Sequence, residues 1–198
     1  MTGTATASDP VIVDRRPLAV LSVLGAGAAV SVVLGVYGSV HDPTGRSIFK
    51  LGFSEMSSMK IWLCTLAFVL GVAQVISALW IYDRLPGVTG KPRWLTGVHR
   101  WSGTLAFVAT VPVAYHCLWS IGYGNQLADD SENVRRMVHS FVGCLFYGVF
   151  TVKMLALRSR RLPGWTLPIA GGLLFSSLVV LWFTSALWWF RYVDFPAF

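Results

Sequence analysis

The sequence predicts an all-α fold, an integral membrane bundle of five transmembrane helices. Three observations carry that expectation. The 198 residues are 55% hydrophobic and only 13% charged, with a mean hydropathy of +0.61, which excludes a single soluble domain. The apolar residues fall into five runs, each long enough at about 1.5 Å per residue to cross a hydrocarbon core of about 30 Å. Nine Trp, twelve Phe and six Tyr supply the aromatic load of membrane interfaces.

The first run, about 17–40, follows a polar tail (1–16) that ends in Arg15 and Arg16. Its 24 apolar residues from Pro17 to Val40 exceed a signal-peptide h-region and suffice for a span. The connection 41–59 contains SIFKLGFSEMSSM, read as a short helix on the membrane surface. The second span, about 60–82, carries one mid-span polar residue, Gln74, explained by interhelical hydrogen bonding. The third covers about 96–122, the fourth about 134–157 and the fifth about 165–190. With the spans assigned, 17–198 is a single transmembrane domain, and no polar stretch is long enough for a nucleotide or flavin domain.

Charges in the connections set the orientation. Arg84, Lys91, Arg93 and Arg100 lie between the second and third spans, and Arg158, Arg160 and Arg161 between the fourth and fifth. The 123–133 connection is acidic, with Asp129, Asp130 and Glu132. The positive-inside rule then predicts a multi-pass plasma-membrane protein with a cytoplasmic N-terminus. The net charge of +7 reads as topology; there is no basic–aromatic stripe for nucleic acid. Cys64, Cys117 and Cys144 lie in apolar runs without CxxC spacing. That argues against a thiolate metal site and for buried structural cysteines.

His116 and His139 are the candidate site. They fall at the end of the third span and the start of the fourth. Consecutive spans run antiparallel, so the two imidazoles come to one membrane face, where they can hold an iron, as in a b-type haem, from both sides. A flat ring needs small neighbours, and Gly143 lies one turn inward of His139, with Pro112 and Ala109 inward of His116. Arg136, with Arg135 beside it, is placed to pair with a propionate. The plainer reading is two interface histidines that hydrogen-bond between helices; a metal or proton site is a third.

His99, 17 residues before His116, lies about 25 Å along the helix and about 100° round it. At its depth the fourth span offers Met154, with Lys153 beside it, so a second haem with His/Met ligation is one expectation. The alternative is an interface histidine that binds lipid, a quinone head or a loop carbonyl. His41 is read as a helix-end polar residue.

HRWSGTLAF followed by YHCLW resembles the helix of ferric-reductase-like and ascorbate-reductase-like transmembrane cytochromes b, and VHSFVGCLFYGVFTVKMLALRSRRLPGW resembles its companion. The resemblance implies haem b between His116 and His139, with His99 as half of a second site. The histidine spacing is wider than in those families, and the companion helix carries one histidine instead of two. RLPGWTLPIAGG and the overall pattern also resemble an uncharacterised actinobacterial five-span membrane family, without a function to import. The expected function is electron transfer by the haem b subunit of an oxidoreductase or respiratory complex, not a self-contained enzyme. Its donor would be a quinol or a membrane redox protein, and the acidic 123–133 connection would dock a basic carrier at the outer face. The alternatives are a cofactor-free accessory subunit of a larger membrane complex, and a transporter.

Overall fold

The computed structural model describes residues 16–123 and 130–193. Among them there are five helices long and apolar enough to cross a membrane, and no strand. They are α1 (Arg16–Val40), α2 (Met56–Ile81), α3 (Trp94–Ile121), α4 (Ser131–Arg158) and α5 (Thr166–Tyr192). All five form at the predicted places, with ends displaced by a few residues. α2 starts four residues early because Met56–Met59 join it instead of the preceding connection. α3 passes through Pro112 and becomes π-helical over Cys117–Ile121. α5 has a second π-helical segment, Phe183–Leu187. The tail 1–15 and Asp129 lie outside the described residues.

α1 packs on α4, α4 on α5, α5 on α2 and α2 on α3. The π-helical end of α3 returns to touch α1, which closes a ring. α3 and α4 stand farther apart than any of these neighbours. The interior is packed by Ala67, Ala109, Phe146, Val149, Ala170, Leu174 and Leu178. Phe107 and Phe150 stack there at 3.8 Å. Small residues bring the backbones close where α1 meets α4, since a Cβ on Gly27 would lie 2.7 Å from the Gly148 carbonyl oxygen. Outside the ring the α1 side chains Leu18, Leu21, Val32, Val33 and Val36 are all exposed. Apolar exposure on that scale belongs to lipid, not to water.

The 41–55 connection departs from the surface helix expected of it. It has no helical turn before Met56. Its backbone donors are engaged elsewhere: Thr44 N–H and Gly45 N–H bond the Trp119 and Ser120 carbonyls at 3.2 and 3.0 Å. Ser120 Oγ donates back to the Arg46 carbonyl at 2.8 Å. A π-helical turn leaves carbonyls that its own ladder does not use, and this connection satisfies two of them. Gly122, at φ 69, turns the chain back against Pro43, whose Cγ would be 2.7 Å from any added Cβ.

Candidate cofactor site

A cavity of about 90 Å³ lies between α3 and α4, with α1, α2 and α5 as its other walls. α3 contributes Thr110, Val113, Ala114 and Cys117; α4 contributes His139, Gly143, Cys144 and Tyr147. These positions recur at three- and four-residue intervals, the stripe of a helix face. Gly143 leaves real space there, because an added Cβ would meet only Leu181 at 3.8 Å. Tyr123 closes one end with a 2.8 Å contact to Cys144 Sγ. Burial, then the contact with Cys144, pushes the Tyr123 phenol above its ordinary range.

The hydrogen-bond partners fix the tautomer of each membrane histidine. His139 Nδ1 lies 2.8 Å from Thr184 Oγ1. The Thr184 hydroxyl has one proton, which goes to the Val180 carbonyl at 2.7 Å, so His139 Nδ1 carries a proton and donates. His116 Nδ1 faces the Pro112 carbonyl at 2.9 Å. A carbonyl only accepts, so this Nδ1 also donates. His99 Nδ1 lies 2.8 Å from Ser77 Oγ, and Ser77 donates to the Ala73 carbonyl at 2.7 Å. In all three imidazoles, Nε2 is left with its lone pair. A ligating histidine has this arrangement, with Nδ1–H anchored and Nε2 offered.

The predicted site residues separate into two groups. His139 and Gly143 line the cavity. His116 is fully buried, but its ring is outside the lining and packs edge-on against Phe49 at 4.5 Å. Its Nε2 is buried without a partner. Ala109 belongs to the packed interior. Arg136 Nε is 3.5 Å from Glu132, and Arg135 grips the same carboxylate at 2.8 Å. Arg135 also donates to the Thr184 carbonyl and lies 4.0 Å over the Trp188 ring. Glu132, read as part of a docking loop, is thus turned onto two arginines of its own helix. His99 faces α2, where its carbonyl accepts from Gln74. Lys153 is the α4 residue in electrostatic range of it, while Met154 is exposed. His41 stacks between Tyr37 and Trp119 at 5.0 and 4.6 Å.

Sequence reasoning missed Thr184, Cys117 and Phe49. Thr184 and Ser185 form, after Ser176 and Ser177, a second polar pair in a largely apolar span, which is a usable signal for interhelical bonding. Cys117 lies within hydrogen-bonding range of both His139 and Lys60. Phe49 arrives from an irregular connection and leaves no periodic trace. Among the described residues no group of three or more His, Cys, Asp or Glu side chains is arranged to hold a metal ion alone.

No curated protein matches the chain, and no solved structure does; no cytochrome b is therefore among its matches. A family model does match, over residues 19–197, described as a family of unknown function (DUF6529). Covering nearly the whole chain, that match makes this five-helix protein a member of the DUF6529 family of unknown function.

Proposed function

We propose that the protein is a membrane haem b subunit that passes electrons within an oxidoreductase or respiratory complex. His116 and His139 would hold its iron. The observation that carries the reading is the state of the two imidazoles. Both are locked with Nδ1 protonated, and His116 Nε2 is buried with nothing to bond. A buried polar atom without a partner costs free energy and asks for a ligand.

The donor set fits a haem iron, and the carbonyl of Pro112 and hydroxyl of Thr184 would orient the two ligands. Gly143 keeps the α4 wall low beside His139. Arg135 and Arg136 are the cations nearest His139 in sequence and suit propionates. The haem supplies one-electron redox chemistry when bound; the chain holds, orients and shields it. The present cavity is smaller than the roughly 300 Å³ at which cofactor pockets begin. Seating the ring therefore requires α3 and α4 to part and His116 to turn from Phe49. By the positive-inside rule the N-terminal face would be cytoplasmic, and the His116–His139 level would lie toward the outside. Electrons would come from a quinol or a membrane redox protein.

The test is a dithionite-reduced minus oxidised spectrum of detergent-purified protein from its native host, with haem measured per chain. One haem per chain, lost in both His116→Ala and His139→Ala, is the expected result. Haem retained in either variant sinks the ligand assignment.

A second reading has its own support. The small cavity and the hydrogen bond already made by each imidazole also suit a cofactor-free accessory subunit of a larger membrane complex. Folded wild-type protein that carries no haem decides for it.

A further inference from the structure

We propose that Arg16, Arg160 and Arg161 form a binding site for the phosphate of an anionic membrane lipid. The three arginines come from the first turn of α1 and the α4–α5 connection, Arg16 and Arg160 being 144 positions apart in sequence. They line one cavity of about 260 Å³, completed by Leu162, Pro163 and Gly164. A guanidinium presents paired N–H donors that match the oxygens of a phosphate. Arg160 and Arg161 bring two such cations to one cavity, where they repel each other unless an anion sits beside them. Among the described residues no ion pair involves Arg160 or Arg161.

The connection that carries two of these arginines is fixed by local bonds. Ser159 N–H reaches the Ala156 carbonyl at 3.2 Å, and Thr166 N–H reaches the Pro163 carbonyl at 3.1 Å. Arg161 N–H bonds Ser159 Oγ at 3.3 Å. The cavity is thus presented on an ordered turn at the ends of three spanning helices, which is headgroup depth. Below it run exposed apolar side chains, Leu18 and Leu21 of α1 and Ile169 of α5, a surface for acyl chains. A lipid satisfies both halves of this arrangement; a free phosphate satisfies only the upper one. Basic pockets between helices at one membrane face bind anionic headgroups by this chemistry. The site is remote from the α3–α4 cavity and does not depend on the haem reading.

The experiment is native mass spectrometry of the full-length protein in detergent, titrated separately with phosphatidylglycerol, phosphatidylcholine and inorganic phosphate. Phosphatidylglycerol should bind the wild type at least about tenfold more tightly than phosphatidylcholine. Arg160→Gln/Arg161→Gln should weaken it about 30-fold, at about fivefold per arginine. Arg84→Gln/Arg93→Gln removes the same charge from the other connection at this face and should leave binding unchanged. Arg16→Gln, should the double variant not fold, should weaken it about fivefold. Equal loss in the Arg84/Arg93 variant would mean a diffuse charge effect and overturn the site. Equal affinity for phosphatidylcholine would overturn the anion requirement. Inorganic phosphate binding as tightly as the lipid would reassign the pocket to a soluble anion.

Discussion

The His139 imidazole donates its Nδ1 proton to the Thr184 hydroxyl, 2.8 Å away on α5. Thr184 is the first residue after the π-helical segment begins, and its carbonyl accepts from Arg135 of α4. One residue of α5 thus holds two side chains of α4, a turn apart. Thr184→Val keeps the shape and removes the hydroxyl. It should lower unfolding stability by about 1 to 2 kcal/mol, because the imidazole proton loses its acceptor in a low-dielectric site. Thr184→Ser should retain most of it. Thermal unfolding in detergent with both variants checks the difference.

The α1–α4 interface depends on two glycines. A Cβ on Gly148 would lie 2.5 Å from the Gly27 carbonyl oxygen and closer still to Ser31 Oγ. Ser31 Oγ itself donates to the Cys144 carbonyl at 3.1 Å. Gly148→Ala should destabilise by about 1 to 3 kcal/mol through overpacking. Gly25→Ala, with nothing within 4 Å of the added carbon, should be neutral or better. The pair compared by thermal unfolding separates the close approach from helix propensity.

Gln74 and Gly103 should behave as a coupled pair. Gln74 bonds the His99 carbonyl and, at 2.8 Å, Ser102 Oγ, while a Cβ on Gly103 would fall 2.8 Å from Gln74 Oε1. Gln74→Ala should cost about 1 kcal/mol, the scale of hydrogen bonds between membrane helices. Gly103→Ala should cost more in the wild type than in the Gln74→Ala background. A double-mutant cycle that gives additive values would refute the contact.

Tyr123 gives a pH prediction. Its phenol is half-buried against Cys144, and this partial burial, then the Cys144 contact, holds its pKa above that of an unfolded tyrosine, about 10. The folded state then keeps a proton that the unfolded state loses, so this contribution is present below pH of about 10 and falls as pH rises further. A tyrosinate absorbance titration of wild type against Tyr123→Phe should show no difference near pH 10. A full difference signal there would place the ring in water.

The spans were legible because a bilayer imposes one rule on every helix, a long apolar run, and the runs around Gln74, His116 and His139 are interrupted by few polar residues. The depth of His116 and His139 at one face was legible for the same reason, since it follows from helix direction alone. The direction of the His116 ring was not. Helical periodicity places Gly143 beside His139 in the cavity, but His116 adjoins a π-helical turn where that period no longer applies. Phe49, its ring neighbour, is 67 positions earlier in an irregular segment. The surface helix expected over 47–59 failed because the nearby donors of Thr44 and Gly45 are drawn to the end of α3, a tertiary event that amphipathic pattern does not encode.

The ring order has a consequence for biosynthesis. α1 leaves the ribosome well before its chief partner, α4; Gly27 meets Gly148, 121 residues downstream. At about 5 to 20 residues per second, that interval is on the order of ten seconds. For that time the first helix stands alone among lipids with its glycine groove unfilled. Its nearly all-apolar surface allows it to wait there, and the assembly pathway of the protein must include a stage in which α1 is inserted but undocked.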